Sequence, residues 1–309
     1  MSQCRRRQCA SAPPYTGPVP HLDPDRATMP QSRWWRTSAD RAVRRAIGLD
    51  RDPPPVCDDP DVAYLPVEGV ARLVHGDLPA MLVGGVAALF FEMLHPHSMA
   101  GVADHSRYRE DALGRVGQTA RFIAETTYGT RDAARAAVAR VRAGHEHVTG
   151  IADDGVPYAA NDPHLLAWVH DAGTYAFLAS YRRFGPRPLS AAAADRYVDE
   201  MARLALDLGA DAPPRTWREL TAQLSAFRPE LRLSADGVEA RDFLRAGVSA
   251  GTVAPAVYRL IVASALDLLP PWALPLLGER PLSWQAAPVR LAMRGVGTAL
   301  RAVIPPVAA

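Results

Sequence analysis

The segment RVGQTARFIAETTYGTRDAARAAVARVRAGHEHVTGIADDGVPYAANDPHLLAWVH, Arg115–His170, decides the fold. It divides into three helical patterns. The first closes at Gly129, a residue type common just past a helix end. Thr130 is placed to N-cap the second, with Asp132 in its first turn. The third opens at Asp162-Pro163, an N-cap followed by proline at the first helical position. Each pattern carries polar or ionisable residues on a face that otherwise reads as buried. Arg115, Gln118 and Thr119 fall at i, i+3 and i+4, with Phe122 one turn further, so they share one face. His145 lies on a stripe with Val138, Val141 and Val148, which turns His147 away from it. His170 lies on a stripe with Leu166, Gly173 and Phe177. One histidine on an apolar stripe is ordinary core. Two on consecutive helices, opposite an Arg/Thr pair on a third, point to a polar pocket inside a helical domain.

Outward from this segment the helical reading continues. The run LPAMLVGGVAALFF (Leu78–Phe91) is apolar throughout but too short to span a bilayer, and Asp77 and Glu92 flank it. It predicts a buried helix over 79–94, stopped at His95-Pro96. The following HPHSMAGVADHSRYRED reads as a polar loop, dense in His95, His97, Asp104 and His105. Further helices are expected over 67–74, 190–208, 216–227 (Thr216 and Glu219 have capping-box form), 237–247, 255–269 and 288–304. ADDGVPY reads as a turn. No βαβ rhythm, hairpin dipeptide or internal repeat is visible. The expected class is all-α: one multi-helix domain over 61–309, with roughly eight to eleven helices. Residues 1–30, rich in Pro, Arg and Ser, read as a disordered tail. Residues 31–60 hold a basic amphipathic stretch around Trp34 and Trp35, then the stiff Pro53–Pro55 linker. Docking of that stretch on the domain is the plainer reading, and peripheral membrane contact is the sharper one.

The chain of 309 residues has 35 Lys+Arg against 33 Asp+Glu, and every one of those cations is arginine. A Schiff-base lysine and a P-loop lysine are therefore excluded. Interspersed charge with a net of +2 gives no basic face of the kind nucleic acid requires. Three cysteines, two of them in the first ten residues, make neither a disulfide framework nor a Cys zinc site. A reducing cytoplasm fits, and no apolar segment follows the N-terminal arginines as it would in a signal peptide. There is no GxSxG, GxGxxG, HExxH or CxxC. On pattern alone, a neutral imidazole in a helix-lined apolar pocket suits a haem iron or another transition metal.

HPHSMAGVADHS, GRVGQTARFIAETTYG, VRAGHEHVTG, PYAANDPHLLAWVH and YRRFG occur in this order between about residues 78 and 209. In this they resemble the DUF2236 family, the rubber oxygenases and mycophenolic-acid-pathway oxygenases. The resemblance implies a globin-like helical core holding haem b, with O2 as co-substrate. It implies that His145 is the iron ligand and that Arg115 and Thr119 are polar residues on the opposite, distal side. Gln118 stands where the rubber oxygenase has a lysine, so an amide replaces a potential iron ligand. His170 matches the pattern as second ligand candidate or pocket wall. His105, Phe122 and Tyr158 are implied around the cofactor, and Glu125 is a candidate base. The implied activity is oxidation of a hydrophobic small molecule, an isoprenoid or another secondary metabolite, by C=C cleavage or a related reaction. It needs an electron donor that the sequence does not name. Two other readings stand beside it: a non-haem metal enzyme built on the His95–His105 loop, and a non-catalytic helical protein binding haem or lipid.

Overall fold

Nearly every face of LPAMLVGGVAALFFE is apolar, so this helix can only be central, and the computed structural model places it there. The structure describes residues 56–247 and 255–304. The expected tail, the Trp34/Trp35 segment and the Pro53–Pro55 linker lie outside them. In chain order the helices are α1 (Val70–His75), α2 (Leu78–Glu92), α3 (Pro96–His105), α4 (Ala112–Tyr128), α5 (Arg131–His145), α6 (Pro163–Phe184) and α7 (Ala191–Leu208). They continue with α8 (Trp217–Ala226), α9 (Ala235–Ala246), α10 (Pro255–Leu266), α11 (Ala273–Leu276) and α12 (Ala286–Val303). The class is all-α, as expected.

Caps written in the sequence set the helix ends. Thr130 accepts from the Ala133 N–H, and Asp162 from those of His164 and Leu165. Thr216 and Glu219 form a complete capping box. The expected loop after His95 is wrong. Residues Pro96–His105 form α3, because Pro96 at the first helical position starts a new helix as effectively as it ends the previous one. That helix and the four-residue α11 bring the described residues to twelve helices, above the expected range. The expected turn at ADDGVPY is the tip of a small antiparallel hairpin, β1 (Thr149–Ile151) and β2 (Pro157–Ala159).

The core is an antiparallel pair, α2 against α6. Ser180 Oγ donates to the Ala80 carbonyl at 2.7 Å near one end, and Trp168 Nε1 to the Glu92 carbonyl at 3.3 Å near the other. Between these, Gly84 lets the helices touch: a Cβ there would lie 2.8 Å from Phe177 Cδ1. α10 and α12 cover α2, while α7 and α8 cover α6. Arg301 of α12 clamps the start of α2. It makes two bonds to the buried Asp77 carboxylate (2.6 and 2.8 Å) and a third to the Phe184 carbonyl. Glu200 of α7 accepts the first N–H groups of α1, from Val70 and Ala71. Among the described residues no single helix is long and apolar enough to cross a membrane. The α2–α3 pair reaches that composition only jointly, across a bend of 106°.

Candidate functional site

α2 is packed on all sides but one. Its residues Gly85, Leu89 and Glu92, spaced by four and three, form a strip that remains accessible. Leu89 is 43% exposed although its neighbours Phe90 and Phe91 are fully buried. A Cβ built on Gly85 would meet nothing within 4 Å. α6 shows the same feature along His170, Gly173 and Phe177, all half-buried, and a Cβ on Gly173 would meet only the edge of Phe177 at 3.9 Å. α4 packs along α5 and against α1 but has no extensive contact with α2 or α6. Among the described residues, the strips on the two central helices therefore border open space instead of packed side chains.

The titratable groups on and beside these strips are strongly desolvated, which points to a recess instead of outer surface. Burial alone pushes His170 down to about 4, and does the same to His75 at the end of α1. Burial pushes the Glu92 carboxyl up to about 7, against the pull of Arg115. All three nevertheless keep accessible surface. A group surrounded closely enough by protein to lose its charge, yet still accessible, lines a cavity wall. His75 is held firmly, Nδ1 to Thr127 Oγ1 at 2.7 Å and Nε2 to Tyr197 OH at 2.9 Å, with its ring edge-on to Phe177.

Arg115 lies near enough to both His145 and Glu92 for its charge to act on them. α4 and α5 run antiparallel, which returns the end of α5 to the start of α4. His145 is the last residue of α5 and half-buried, and its Nδ1 is buried without a hydrogen-bond partner. Its pKa is lowered, first by burial and then by Arg115. Asn161 opposes part of that shift, but the Asn161 Oδ1 and the His145 Nδ1 do not meet in hydrogen-bond geometry. His147 is exposed, as the helical phase predicts.

Other expected site residues lie differently. Arg115, Gln118 and Thr119 are exposed rather than buried, because the first part of α4 stands off the core; Phe122 is half-buried. The Thr119 hydroxyl back-bonds to the Arg115 carbonyl at 3.2 Å. Arg115 makes no ion pair with Asp111, which instead caps α4 through the Gly114 N–H. Glu125 is 7% exposed and held between Arg121 and Arg140, so it is a structural carboxylate and not a base. Tyr158 is buried in a separate small cluster with Ala100, Ala152 and Leu165, and its hydroxyl donates to Asp104 at 2.5 Å. Val148 packs on that cluster, so Tyr158 braces the chain just after His145. His105 is exposed beside it, with Nε2 3.2 Å from the Thr149 carbonyl.

The His95–His105 segment does not gather as ligands. His97 Nε2 lies 3.0 Å from Asp154, and His95 Nε2 lies 3.5 Å from Glu230. Among the described residues no group of three or more His, Cys, Asp or Glu could hold a metal ion. A hollow of about 450 Å³ lined by Ser225, Arg228, Pro229, Trp272 and Leu276 contains no acid, base pair or ligand. The sequence reading overlooked Glu92, His75 and Asp171. A single carboxylate inside LFFEML was a visible signal for the first, whereas the other two depend on packing.

The family model described as "ER-bound oxygenase mpaB/B'/Rubber oxygenase, catalytic domain" matches residues 72–302. No curated protein and no solved structure matches.

Proposed function

The chain belongs to the family of mpaB-type and rubber-oxygenase catalytic domains, and from that premise we propose that it is a haem b-dependent enzyme within this oxygenase family. It would use O2 to oxidise a hydrophobic small molecule, an isoprenoid or another secondary metabolite, by C=C cleavage or a related oxidation. The observation that carries the haem assignment is the orphaned imidazole of His145, half-buried at the end of α5 and under the influence of the Arg115 charge.

The residues present fit the group. Two glycines, Gly85 and Gly173, leave the central helices smooth where a flat macrocycle would lie against them. Leu89, Phe122 and Phe177 supply apolar walls. His145 is desolvated, which favours the neutral form that ligates, and Asn161 beside it is a candidate partner for its Nδ1. Haem bound there would supply the redox-active iron and its O2 chemistry.

The chain's own groups have separable tasks. Arg115 keeps a permanent positive charge at the recess and stabilises negative charge developing near it. Thr119, one turn along, carries a hydroxyl whose proton is committed to its own helix, so it accepts there or donates after breaking that bond. Gln118 provides an amide, a poor metal ligand, and so does not close the site as a lysine could. Glu92, pushed up to about 7, holds or releases a proton near neutrality and replaces Glu125 as the candidate acid–base group. Apolar walls admit a hydrophobic substrate and exclude water.

The test is an absorption spectrum of fresh protein, before and after dithionite and CO. A Soret band that shifts with CO is expected. His145→Ala is expected to lose the band while His170→Ala keeps it. Colourless protein that takes up no added haemin overturns the proposal, and retention in His145→Ala with loss in His170→Ala reassigns the ligand.

A further inference from the structure

α12 has an outward face that a soluble protein would ordinarily make polar. Its sequence, AAPVRLAMRGVGTALRAV, contains no acidic residue. Helical phase puts Pro288, Leu291, Gly295, Ala299 and Ala302 along one exposed line. Leu291 is 74% exposed, and Trp284, just before the helix, is 78% exposed. Nothing among the described residues covers this line.

The charges of α12 lie on one flank. Arg290 and Arg301 are neutralised by Asp267 and Asp77. Arg294 is not: its guanidinium reaches only the Arg183 carbonyl. It borders a hollow of about 340 Å³ shared with Arg187 on the α6–α7 turn and with Arg182 in the last turn of α6, whose guanidinium also lies over the Trp217 ring. Among the described residues none of these three has an acidic partner. An apolar line, a protruding tryptophan and an uncompensated arginine pocket thus stand side by side on one surface.

We infer that α12 and the Phe184–Pro188 turn form a membrane-docking face for an anionic phospholipid bilayer. Leu291 and Trp284 enter the headgroup–acyl boundary, and lipid phosphates occupy the pocket of Arg182, Arg187 and Arg294. Charge selects this occupant: a basic amphipathic helix lies in the interface of an anionic bilayer, and tryptophan prefers that depth. A second copy of the chain would set these arginines against their own counterparts. The face is independent of the oxygenase recess, so the inference does not rest on the cofactor assignment. Its consequence would be delivery of apolar substrate from the bilayer to the enzyme.

The experiment is vesicle flotation of the full chain, with phosphatidylcholine alone or mixed with phosphatidylglycerol, at low and high salt. Wild type should float with the mixed vesicles and release at high salt. Arg182→Gln, Arg187→Gln and Arg294→Gln together should weaken binding about fivefold for each arginine removed. Trp284→Ser with Leu291→Asp should abolish flotation without a fall in Tm, as both side chains are mostly exposed. If that double variant loses its fold, Leu291→Gln alone decides by the same readout. No flotation of wild type, unchanged flotation of the folded variants, or a wild-type dimer that Leu291→Gln converts to monomer without altering flotation would each overturn the inference.

Discussion

At the level of single residues, Asp171 is the group most at odds with its surroundings. It is fully buried, and neither carboxylate oxygen has a hydrogen-bond partner. Burial pushes it up to about 8 from 3.8. The folded state therefore holds a proton that the unfolded state releases above pH 3.8, so stability falls as pH rises from about 4 to about 8. Asp171→Asn removes that dependence and keeps the shape. It should raise stability by about 1–3 kcal/mol at pH 8, where the unfolded aspartate has released a proton that the buried one retains, and by little at pH 4. Thermal melts of both proteins at the two pH values check this, and equal Tm gains at both would refute it. Sequence pattern could not find this residue. His145 and His170 were legible because helical phase aligned them with apolar residues, whereas Asp171 differs from a surface aspartate only in what folds over it. Glu125 failed for the converse reason: an acid in the right helix was visible, and its two arginine partners were not.

Among helices, α2 shows how finely sequence and packing are matched. Gly84 and Gly85 are adjacent and have opposite duties. A methyl on Gly84 would press on Phe177, 2.8 Å from Cδ1 and 3.1 Å from Cα. Backbone cannot retreat as a flexible side-chain end can, so Gly84→Ala should cost about 1–3 kcal/mol by overpacking. Gly85 faces the recess, and Gly85→Leu should leave Tm level or slightly raised, since leucine favours helix over glycine by roughly 1 kcal/mol. The same leucine would fill the space assigned to the cofactor, so haemin uptake should be lost. Titration with haemin and a thermal melt separate the two variants; haemin uptake retained in Gly85→Leu would place the cofactor elsewhere. The helix itself was legible as an apolar run flanked by Asp77 and Glu92. Its open strip was not, because α2 is apolar on that side too and the sequence contains no mark of a missing neighbour. α3 was misread for a local reason: His-Pro is both a stop and a start, and only the chain beyond it decides which applies.

Across the whole molecule, groups shifted by burial act in opposite directions on stability. Burial lowers His75, His95 and His170 to about 4 from 6.5, and lowers His145 as well. The first three are neutral in the fold and protonated in the unfolded chain between those limits, so their stabilisation is present above pH 6.5 and lost as pH falls towards 4, and His145 acts in the same direction. Asp171 and Glu92 are raised, to about 8 and about 7, and weaken the fold as pH rises through those windows. Glu200 is raised too, in spite of the two backbone N–H groups it accepts. Below pH 6.5 the four imidazoles outnumber the carboxyls and acidification destabilises. Above it the imidazoles no longer change charge, while Asp171 and Glu92 still release protons on unfolding. The cofactor-free protein should therefore be most stable near pH 6.5, falling away on each side by about 1 kcal/mol per pH unit. The combined change Asp171→Asn and Glu92→Gln should flatten the alkaline limb up to pH 8 and leave an acid limb that is steeper, because the opposing carboxyls are gone. Urea unfolding from pH 4 to 8 measures both limbs. A maximum near pH 8 in wild type, or an alkaline limb that survives the double change, would mean that these buried groups keep their ordinary protonation, and with it the recess would lose its closed, desolvated character.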